Sequence, residues 1–519
     1  MFRTGIVALT ITAAAIAHAE NKVGVVLHEP GALAGYNLFT PMDGAGSYLI
    51  DNDGRVIHHW DTEYRSNIGY LLDNGNLLRA TRFGNVAYRQ FFGGGAGHGI
   101  EELTWAGECV WEFVHRSKDY LMHHDIEPLP NGNVLIIAWE RKTPEEAVAS
   151  GRDPELVNDR GVWPLHVLEI EPMRPKGGTV VWEWHVWDHL IQDFDETKAN
   201  YGDVAAHPER VEINPPGLWI DQIPDDEREQ LEAVGYLGGE SADQEDTEQK
   251  NMNRFRGLMA DWLHTNAIDY NADLDQIALS VLGNNEIWII DHSTTTEEAR
   301  GSTGGRYGKG GDLLYRWGNS AAYRTGTESD QMLFTQHDVH WIPDGVPGAG
   351  NLLIFNNGRG RPGGSYSSVD EIVPPMNDAG GYVLKPGMPF GPTAPTWTYT
   401  APEKMNFYSF FISGAQRLSN GNTLICFGAK GTFFEVTPKG NEVWRFVSPA
   451  VGPEGASTIV DEKPSNIVFR MHRYSPDHPA FVGKDVSPGP NLADYLKKNP
   501  VRMPLTFEQY LDRNVHRTN

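Results

Sequence analysis

A polar residue recurs at one fixed position of this chain, seven residues before the Asn or Asp of a turn. The five residues at this position, which we call the slot residues, are Asn67, His124, His264, His337 and Ser413, and their turns begin at Asn74, Asn131, Asn271, Asp344 and Asn420. A structural unit that is repeated around an axis brings equivalent residues to one place. The pattern therefore predicts a repeat fold with a polar, histidine-rich site on its axis.

A second phrase, a glycine turn followed by an aromatic-rich strand, alternates with the first. It occupies residues 51–61, 105–113, 176–184, 309–317 and 438–446, with a divergent copy at 380–399. Asn-Gly between two apolar runs is a strong hairpin signal, and four-stranded units repeated around an axis form a β-propeller. The predicted fold class is all-β, a six-bladed β-propeller in which the two chain ends share a closing blade. The alternative is a β-sandwich, or two, with unrelated hairpins.

The chain divides into a short leader and one long domain. Residues 1–19 have one basic residue, an apolar run and an Ala-His-Ala end, which predicts a secretory signal peptide. Residues 20–519 are predicted to form a single propeller domain. Within it, 186–258 is an insertion between strands that contains a short helix, and 447–519 is an extension that packs on the outside and ends in a helix near 505–513. We expect a periplasmic or secreted protein.

Composition limits the class of partner. A formal net charge of -26 argues against nucleic-acid binding, which needs clustered Lys and Arg. No other stretch has the roughly 20 apolar residues of a membrane span. Cys109 and Cys426 each lie in a strand-like segment and are predicted to be small buried side chains, with a disulfide as the alternative. The sequence predicts no cofactor and no bound metal, and a small-molecule partner; it does not indicate the oligomeric state.

The slot residues supply the candidate catalytic groups, His124, His264 and His337. The predicted substrate-binding residues lie at the slot or follow it on neighbouring strands and loops: Asn266, Asn356, Arg359, Arg361, Tyr408 and Ser413. Two arginines in a Gly-rich turn suit the bidentate binding of a tetrahedral oxyanion. The alternatives are imidazoles that only brace the axis and arginines that are solvated.

These segments together resemble the bacterial arylsulfate sulfotransferase family, exported enzymes with a six-bladed propeller that do not use PAPS. The matching pieces are DWLHTNAIDYN, QHDVHWIPDG, FNNGRGR, NNEIWIIDHSTT and QRLSNGNTLICFGAKGTFFEVTPKGNEVW. The resemblance implies ping-pong transfer of a sulfuryl group from a phenolic sulfate ester to a phenol through a transient sulfohistidine. It also implies that His264 and His337 are site histidines and that an arginine of FNNGRGR holds the sulfate.

One position departs from the family pattern. The slot in which the resemblance implies the nucleophilic histidine holds Ser413. His124 or His337 would then have to replace it, or the chemistry has changed on a retained scaffold. Three other hypotheses stay open: a propeller enzyme with zinc or copper on the three histidines, a lyase acting on an acidic glycan, and a propeller without catalysis.

Overall fold

The computed structural model describes residues 23–42, 44–83, 91, 93–215, 260–451, 459–460, 463–464 and 466–515. The predicted leader 1–19 and the predicted helix of the insertion, within 223–239, lie outside these residues. Strands dominate the described part of the chain, and apart from one short parallel pair they form antiparallel sheets joined mostly by tight turns. The all-β class that the sequence predicts is therefore confirmed.

The first sheet has seven strands, because it joins two groups of four strands that share one long strand. In order across the sheet they are β28 (Val468–Tyr474), β2 (Tyr36–Pro41), β3 (Ala45–Asp51), β4 (Val56–Leu71), β5 (Leu77–Arg82), β6 (Gly99–Leu103) and β7 (Cys109–Val114). The first part of β4 pairs with β3 and its last part pairs with β5, with register shifts on both sides. The long strand thus passes from one set of four strands into the next.

Four further sheets follow along the chain. Their strands are β8 (Tyr120–Pro128), β9 (Val134–Glu140), β10 (Leu165–Pro172) and β11 (Gly178–His185); β14 (Thr265–Asn271), β15 (Gln276–Val281), β16 (Glu286–Asp291) and β17 (Tyr315–Trp317); β18 (His337–Trp341), β19 (Leu352–Asn356), β20 (Ser368–Ile372) and β21 (Trp397–Tyr399); and β22 (Gly414–Arg417), β23 (Thr423–Phe427), β24 (Thr432–Val436), β25 (Glu442–Val447) and β1 (Gly24–His28). Because β1 pairs with β25, the start of the described chain closes the last sheet.

The remaining elements are short. Two-stranded pairs are formed by β12 (Leu190–Ile191) with β13 (Val211–Glu212) and by β26 (Ile459–Val460) with β27 (Lys463–Pro464). The α-helices are α1 (Pro144–Ala149), α2 (Thr296–Ala299), α3 (Leu492–Lys498) and α4 (Phe507–Val515). The 3-10 helices are Pro154–Leu156, Val186–His189, Val204–Ala206, Leu282–Asn284, Ser320–Tyr323, Glu328–Asp330, Lys404–Asn406, Gly428–Lys430 and Pro479–Phe481. In the described ranges no helix has the length and hydropathy that crossing a bilayer requires.

The predicted Asn-Gly hairpins are confirmed, and each has the same local chemistry. The Asn131 side chain accepts the backbone N–H of Asn133 at 2.9 Å, and Asn420 accepts that of Asn422 at 3.0 Å. The glycine after the first of these asparagines, Gly132, has a φ of +87°, which side chains with a Cβ rarely adopt. The turns therefore fix the register of the strands that follow the slot residues.

In each group of four strands, one strand lies next to its counterpart in the following group. We call these six the inner strands. The inner strands β4, β8, β14, β18, β22 and β28 contact one another in this order, and β28 also contacts β4. The large apolar clusters lie between consecutive sheets; one of them joins Ile137 and Trp184 to Ile277 and Trp288. The sheets therefore pack face to face around a closed ring of inner strands.

The aromatic phrases of the sequence form a second ring farther out. A tryptophan indole from each group donates a hydrogen bond of 2.7 to 3.1 Å to a backbone carbonyl of the next group. The donor and acceptor pairs are Trp60 and Thr104, Trp111 and Gly177, Trp184 and Gly311, Trp317 and Pro392, Trp397 and Pro438, and Trp444 and Asn52. Because the last pair returns to the first group, these bonds also close a circle.

Two predictions about the ends of the chain need correction. The extension 447–519 does not lie wholly outside, because Val468–Tyr474 is the inner strand β28 and pairs with β2. The closing blade is therefore split: residues 24–28 join β25, whereas 36–51 form a separate group with β28. The helix predicted near 505–513 is confirmed as α4.

The two cysteines are free thiols in different sheets, so the structure does not join them as a disulfide. Cys426 is buried, as predicted, but the prediction for Cys109 is wrong. Cys109 is exposed because it begins β7, the outermost strand of its sheet.

Candidate functional site

All five slot residues are buried and lie on the inner strands or directly before them. Asn67 and His124 are within β4 and β8, His337 is the first residue of β18, and His264 and Ser413 directly precede β14 and β22. His124, His264 and Ser413 have positive φ angles of 53°, 43° and 87°. A left-handed backbone is costly for residues other than glycine, and such strain concentrates at functional sites. We call this the histidine end of the inner strands.

His264 is held by a carboxylate, Asp261, that lies outside the sequence repeat. Its Nδ1 lies 2.5 Å from Oδ2 of Asp261, and its backbone N–H donates to Oδ1 of the same residue at 3.2 Å. The indole N–H of Trp139 also donates to Asp261 Oδ1, at 2.8 Å. This carboxylate places the ring proton of His264 on Nδ1 and orients Nε2 as the basic nitrogen, the arrangement of a nucleophile or general base.

His124 is the immediate neighbour of this pair. Its ring centre is 4.7 Å from that of His264, and the two planes are nearly perpendicular at 80°. Its Nδ1 lies 2.9 Å from Nδ1 of His123, whose ring stacks on Trp139. One proton lies between these two nitrogens, so the two histidines form a pair that can pass a proton.

Residues 93–99 of a glycine run that has no phosphate-loop context lie beside His124. The backbone N–H of His124 donates to Gly95 O at 2.8 Å, and Asn67 Nδ2 donates to the same carbonyl at 3.4 Å. A Cβ on Gly95 would lie 2.3 Å from the His124 ring. Only glycine allows this approach, so the run has a positioning role at the histidine end.

His337 completes the group from the inner strand β18. Its Nδ1 lies 2.7 Å from Asn357 Oδ1, and its Nε2 accepts the backbone N–H of Ile412 at 3.2 Å. Phe469, on the inner strand β28, has its ring centre 6.4 Å from His337 and 6.2 Å from His124. These bonds make His337 a neutral imidazole with Nδ1 protonated.

Burial sets the charge state of these imidazoles. It lowers the pKa of His123 and His124 well below the ordinary value, and the neighbouring His264 lowers both further. Burial also lowers the pKa of His337 to about 3, although the bond to Asn357 opposes the shift. At neutral pH these rings are neutral, so they can accept or pass protons without carrying a resting charge.

The other predicted site residues divide into two groups. Asn266 donates to the backbone carbonyl of Gln336, next to His337, at 2.9 Å. The buried Arg359 donates to Phe410 O at 2.6 Å, in the loop that ends at Ile412. Both therefore lie in elements that adjoin the histidine end.

The remaining predicted residues are engaged elsewhere. Asn356 bonds to the backbone of Phe334 and Met332 and to Asp370, and Arg361 donates to Ser368 Oγ at 2.9 Å. The Ser413 hydroxyl donates to Ser409 Oγ at 2.7 Å and accepts the N–H of Gly428 at 2.9 Å. Tyr408 packs at the edge of an apolar cluster beside Phe410. The structure does not bring Asn356 or Arg361 into contact with the histidines.

Several residues of the site had only weak sequence signals. Asp261 lies three residues before His264 in DWLH, and Phe469 and Arg470 belong to a strand without the Asn-Gly turn that marked the other units. Arg82, whose charge lowers the pKa of His124, ends the buried strand β5. The alternation of apolar and polar residues in VFRMHRY is the one signal that would have identified the last inner strand.

The opposite end of the inner strands holds a different chemistry. A cavity of about 280 Å³ there is lined by Tyr70, Glu127, Asp269, His340, Arg470 and His472, among others. Arg470 separates it from the histidine end, with Nη1 2.8 Å from Asp125 Oδ2 and Nε 2.8 Å from Asp338 Oδ1. We call this the carboxylate end.

The fold and site define an all-β protein with a histidine–carboxylate site at one end of a ring of inner strands. The profile of the family described as Arylsulfotransferase (ASST) matches residues 37–478, which is most of the chain. The chain therefore belongs to the arylsulfotransferase family, which supports an arylsulfotransferase-like function in general. No curated protein gives a significant sequence match.

Solved structures resemble the chain only distantly. A protein of unknown function from Bacteroides caccae has a TM-score of 0.42 at 10% identity, over 85% of this chain and 98% of its own. A functionally unknown protein from Desulfotomaculum acetoxidans has a TM-score of 0.36 at 9% identity, over 85% and 100%. A virginiamycin B lyase from Staphylococcus aureus has a TM-score of 0.31 at 9% identity, over 81% and 87%. Likenesses this low carry no argument about function.

Proposed function

We propose that this chain is a six-bladed β-propeller enzyme that transfers a sulfuryl group from phenolic sulfate esters to phenols at the histidine end. The closed order of the inner strands and the circle of tryptophan bonds support six blades. In this arrangement the seven-stranded sheet is two blades that share β4, and the blade that begins with β22 includes β1.

The observation that carries the proposed reaction is the bond between His264 and Asp261. The carboxylate holds the Nδ1 proton and stabilises the positive charge that develops on the ring when Nε2 becomes bonded. His264 therefore has the features of the nucleophile, and it takes over the role that the family pattern gives to the slot of Ser413. Ser413 cannot act in that way while its hydroxyl serves Ser409 and Gly428.

The first half of the reaction transfers the sulfuryl group to the enzyme. His264 Nε2 forms a bond to sulfur as the bond from sulfur to the phenol oxygen breaks, and that oxygen keeps the electron pair. The phenolate leaves with its negative charge. In the second half the neutral His123–His124 pair accepts the proton of an acceptor phenol, the phenol oxygen attacks sulfur as the bond to His264 breaks, and the pair then releases the proton to the departed phenolate or to water.

Positive charge near the histidines suits an anionic ester. Arg359 is buried in the loop beside His337, and Arg82 is buried close enough to lower the pKa of His124. A guanidinium in a buried site stabilises the equatorial oxygens of the transferring group more strongly than it would in water.

The geometry favours sulfuryl transfer over a metal bound by the three slot histidines. Among the described residues, the group whose three ligating atoms lie within 4.8 Å of one another is His166, Glu183 and His185, and it does not include His124, His264 or His337. We also propose export through the leader 1–19, which N-terminal sequencing of the mature protein would test.

The experiment is turnover of 4-nitrophenyl sulfate with a phenol acceptor by the purified mature protein. His264→Ala should lower kcat by about 10⁴-fold, because it removes the atom that forms the covalent intermediate. After rapid quenching, the wild-type peptide that contains His264 should carry the mass of one SO3 group. Replacement of the exposed His28 by alanine should leave turnover unchanged, and so should a chelator.

Two results would count against the proposal. One is a folded, pure protein that turns over none of a panel of aryl sulfates. The other is a sulfated peptide that contains another histidine, such as His337, while His264→Ala retains activity; that outcome would move the nucleophile but keep the reaction.

A further inference from the structure

A second group of imidazoles lies away from the histidine end, on the outer two strands of the sheet formed by β8 to β11. His166 on β10 and His185 on β11 are direct partners across the antiparallel pair. Glu183 precedes His185 by two residues, so its side chain lies on the same face of the sheet. Strand register alone therefore brings two imidazoles and a carboxylate together.

The ligating atoms of these three residues converge. Glu183 Oε2 lies 3.3 Å from His166 Nε2 and 3.6 Å from His185 Nε2, and all three atoms lie within 4.8 Å of one another. A tetrahedral Zn²⁺ with bonds of 2.0–2.1 Å holds neighbouring ligand atoms roughly 3.3 Å apart. The two rings are stacked, with centres 3.9 Å and planes 18° apart, so each ring has to rotate about its side-chain bonds to direct Nε2 at a common ion.

A second layer of residues orients this group. His185 Nδ1 lies 3.2 Å from Glu140 Oε1, and Lys142 Nζ lies 2.9 Å from the other oxygen of Glu140. A carboxylate on the far nitrogen of a histidine is the usual support of a metal ligand, because it fixes the tautomer and raises the basicity of the ligating nitrogen. Arg300 contacts Glu183 through Oε1 at 3.1 Å, so Oε2 remains directed at the histidines.

The degree of exposure fits a site that an ion can enter. The side chains of His166, His185 and Glu183 are 10%, 19% and 25% exposed. Two histidines and one carboxylate with solvent at the fourth position are a donor set that Zn²⁺ and other divalent transition metals accept. Mg²⁺ and Ca²⁺ prefer sites made of oxygen atoms.

We propose that His166, Glu183 and His185 bind one divalent transition-metal ion, with Zn²⁺ the reference ion and water as the fourth ligand. The ion would fasten the outermost strand β11 to β10. It would also stabilise the folded chain, because the unfolded chain does not hold the three ligands together. The site lies apart from the residues of the proposed reaction and does not depend on that reaction.

The experiment uses the untagged mature protein, freed of metal by dialysis against a chelator and then titrated with Zn²⁺. We expect one bound ion per chain with a Kd in the micromolar range or below, a rise in Tm on addition of Zn²⁺, and the visible absorption of a tetrahedral site when Co²⁺ replaces it. His185→Gln and Glu183→Gln should each weaken binding by about 100-fold or more, and Glu140→Gln by about 10-fold.

A matched control lies in the neighbouring sheet. His292 also bridges two carboxylates, with Nδ1 2.7 Å from Asp275 and Nε2 3.0 Å from Glu169, but it belongs to no group of three converging ligands among the described residues. His292→Gln should retain full Zn²⁺ binding. Turnover of 4-nitrophenyl sulfate, if the proposed function holds, should be unchanged in His185→Gln.

The proposal is overturned if the wild-type protein binds no Zn²⁺ or Co²⁺ more tightly than about 100 µM. It is also overturned if His185→Gln and Glu183→Gln both bind the ion as the wild type does, because the metal then lies elsewhere. If His185→Gln fails to fold, Glu183→Gln decides the question, since Glu183 is the most exposed of the three. Neither outcome bears on sulfuryl transfer, which is measured separately.

Discussion

The histidine end and the carboxylate end of the inner strands differ in exposure and in the titratable groups that they hold. The slot residues at the first end are buried, whereas Glu127, His340 and His472 at the second are partly exposed and line a cavity. At the histidine end burial lowers the pKa of His123, His124 and His337, so the rings are neutral there. At the carboxylate end burial raises the pKa of Glu127 well above its ordinary value and that of Asp269 to about 6. The two ends lie within the length of a single strand, because His124 and Glu127 are both on β8.

Arg470 stands between the two ends. Burial lowers its pKa, but Asp125 and Asp338 more than offset this effect and keep the guanidinium charged. Buried arginines beside neutral imidazoles favour an anion at the histidine end, whereas the charge of Arg470 is already matched by Asp125 and Asp338. If the proposed function holds, we therefore expect a sulfate ester to bind at the histidine end, beside His264.

Asp261→Asn is expected to have the largest effect, because it removes the carboxylate that holds His264 at the histidine end. An asparagine cannot accept the Nδ1 proton as a carboxylate does and cannot stabilise a charged imidazole, so kcat should fall by about 10³-fold with little change in KM. The measurement is steady-state turnover of 4-nitrophenyl sulfate.

A second buried pair provides the control for Asp261→Asn. His189 Nδ1 lies 2.8 Å from Asp312 Oδ1, away from the inner strands, and its Nε2 bonds to Ala299 O at 2.9 Å. Asp312→Asn makes the same chemical change and should leave kcat within about 2-fold. Equal losses of kcat in the two variants would mean that Asp261 acts through folding and not through His264.

Arg470→Met tests the boundary between the two ends. The substitution leaves Asp125 and Asp338 buried without their cation, so the free energy of unfolding should fall by about 3 kcal/mol or more. Urea denaturation at pH 7.5 measures this loss. Adding Asp125→Asn and Asp338→Asn to Arg470→Met should restore much of the stability, and a triple variant no more stable than the single one would show that the loss is one of packing.

Much of this fold could be predicted from the sequence, because its signals are local. The seven-residue spacing between a slot residue and its turn is the length of an inner strand and its turn, and the aromatic phrase ends in the tryptophan that bonds to the next group. The strand Val468–Tyr474 could not be placed in the same way. It has no turn of its own type and pairs with β2, more than 400 residues earlier.

Only those residues of the site that recur at the slot position of the repeat could be predicted from the sequence. His124, His264 and His337 each lie seven residues before a turn, and the structure brings their rings into one group. Asp261 stands outside the repeat, and its role depends on a loop that folds back on His264. Arg361 was suggested by its place in a glycine-rich turn; its guanidinium donates to Ser368 and lies over Tyr366, and its role in anion binding stays a prediction.

His472, at the carboxylate end, is expected to give the smallest effect, a change in how steeply the free energy of unfolding depends on pH. Burial and the nearby Arg470 lower its pKa to about 3, while its other neighbours are Asp338, His340 and the ring of Tyr70. Between pH 6 and 4 the unfolded chain therefore binds a proton at this residue that the folded chain does not, so stability falls as the pH falls. His472→Asn removes this group and should make the free energy of unfolding less steep by about 1.4 kcal/mol per pH unit over that range. Urea denaturation of both proteins at pH 6, 5 and 4 provides the comparison, and parallel curves would mean that His472 is already charged in the folded protein.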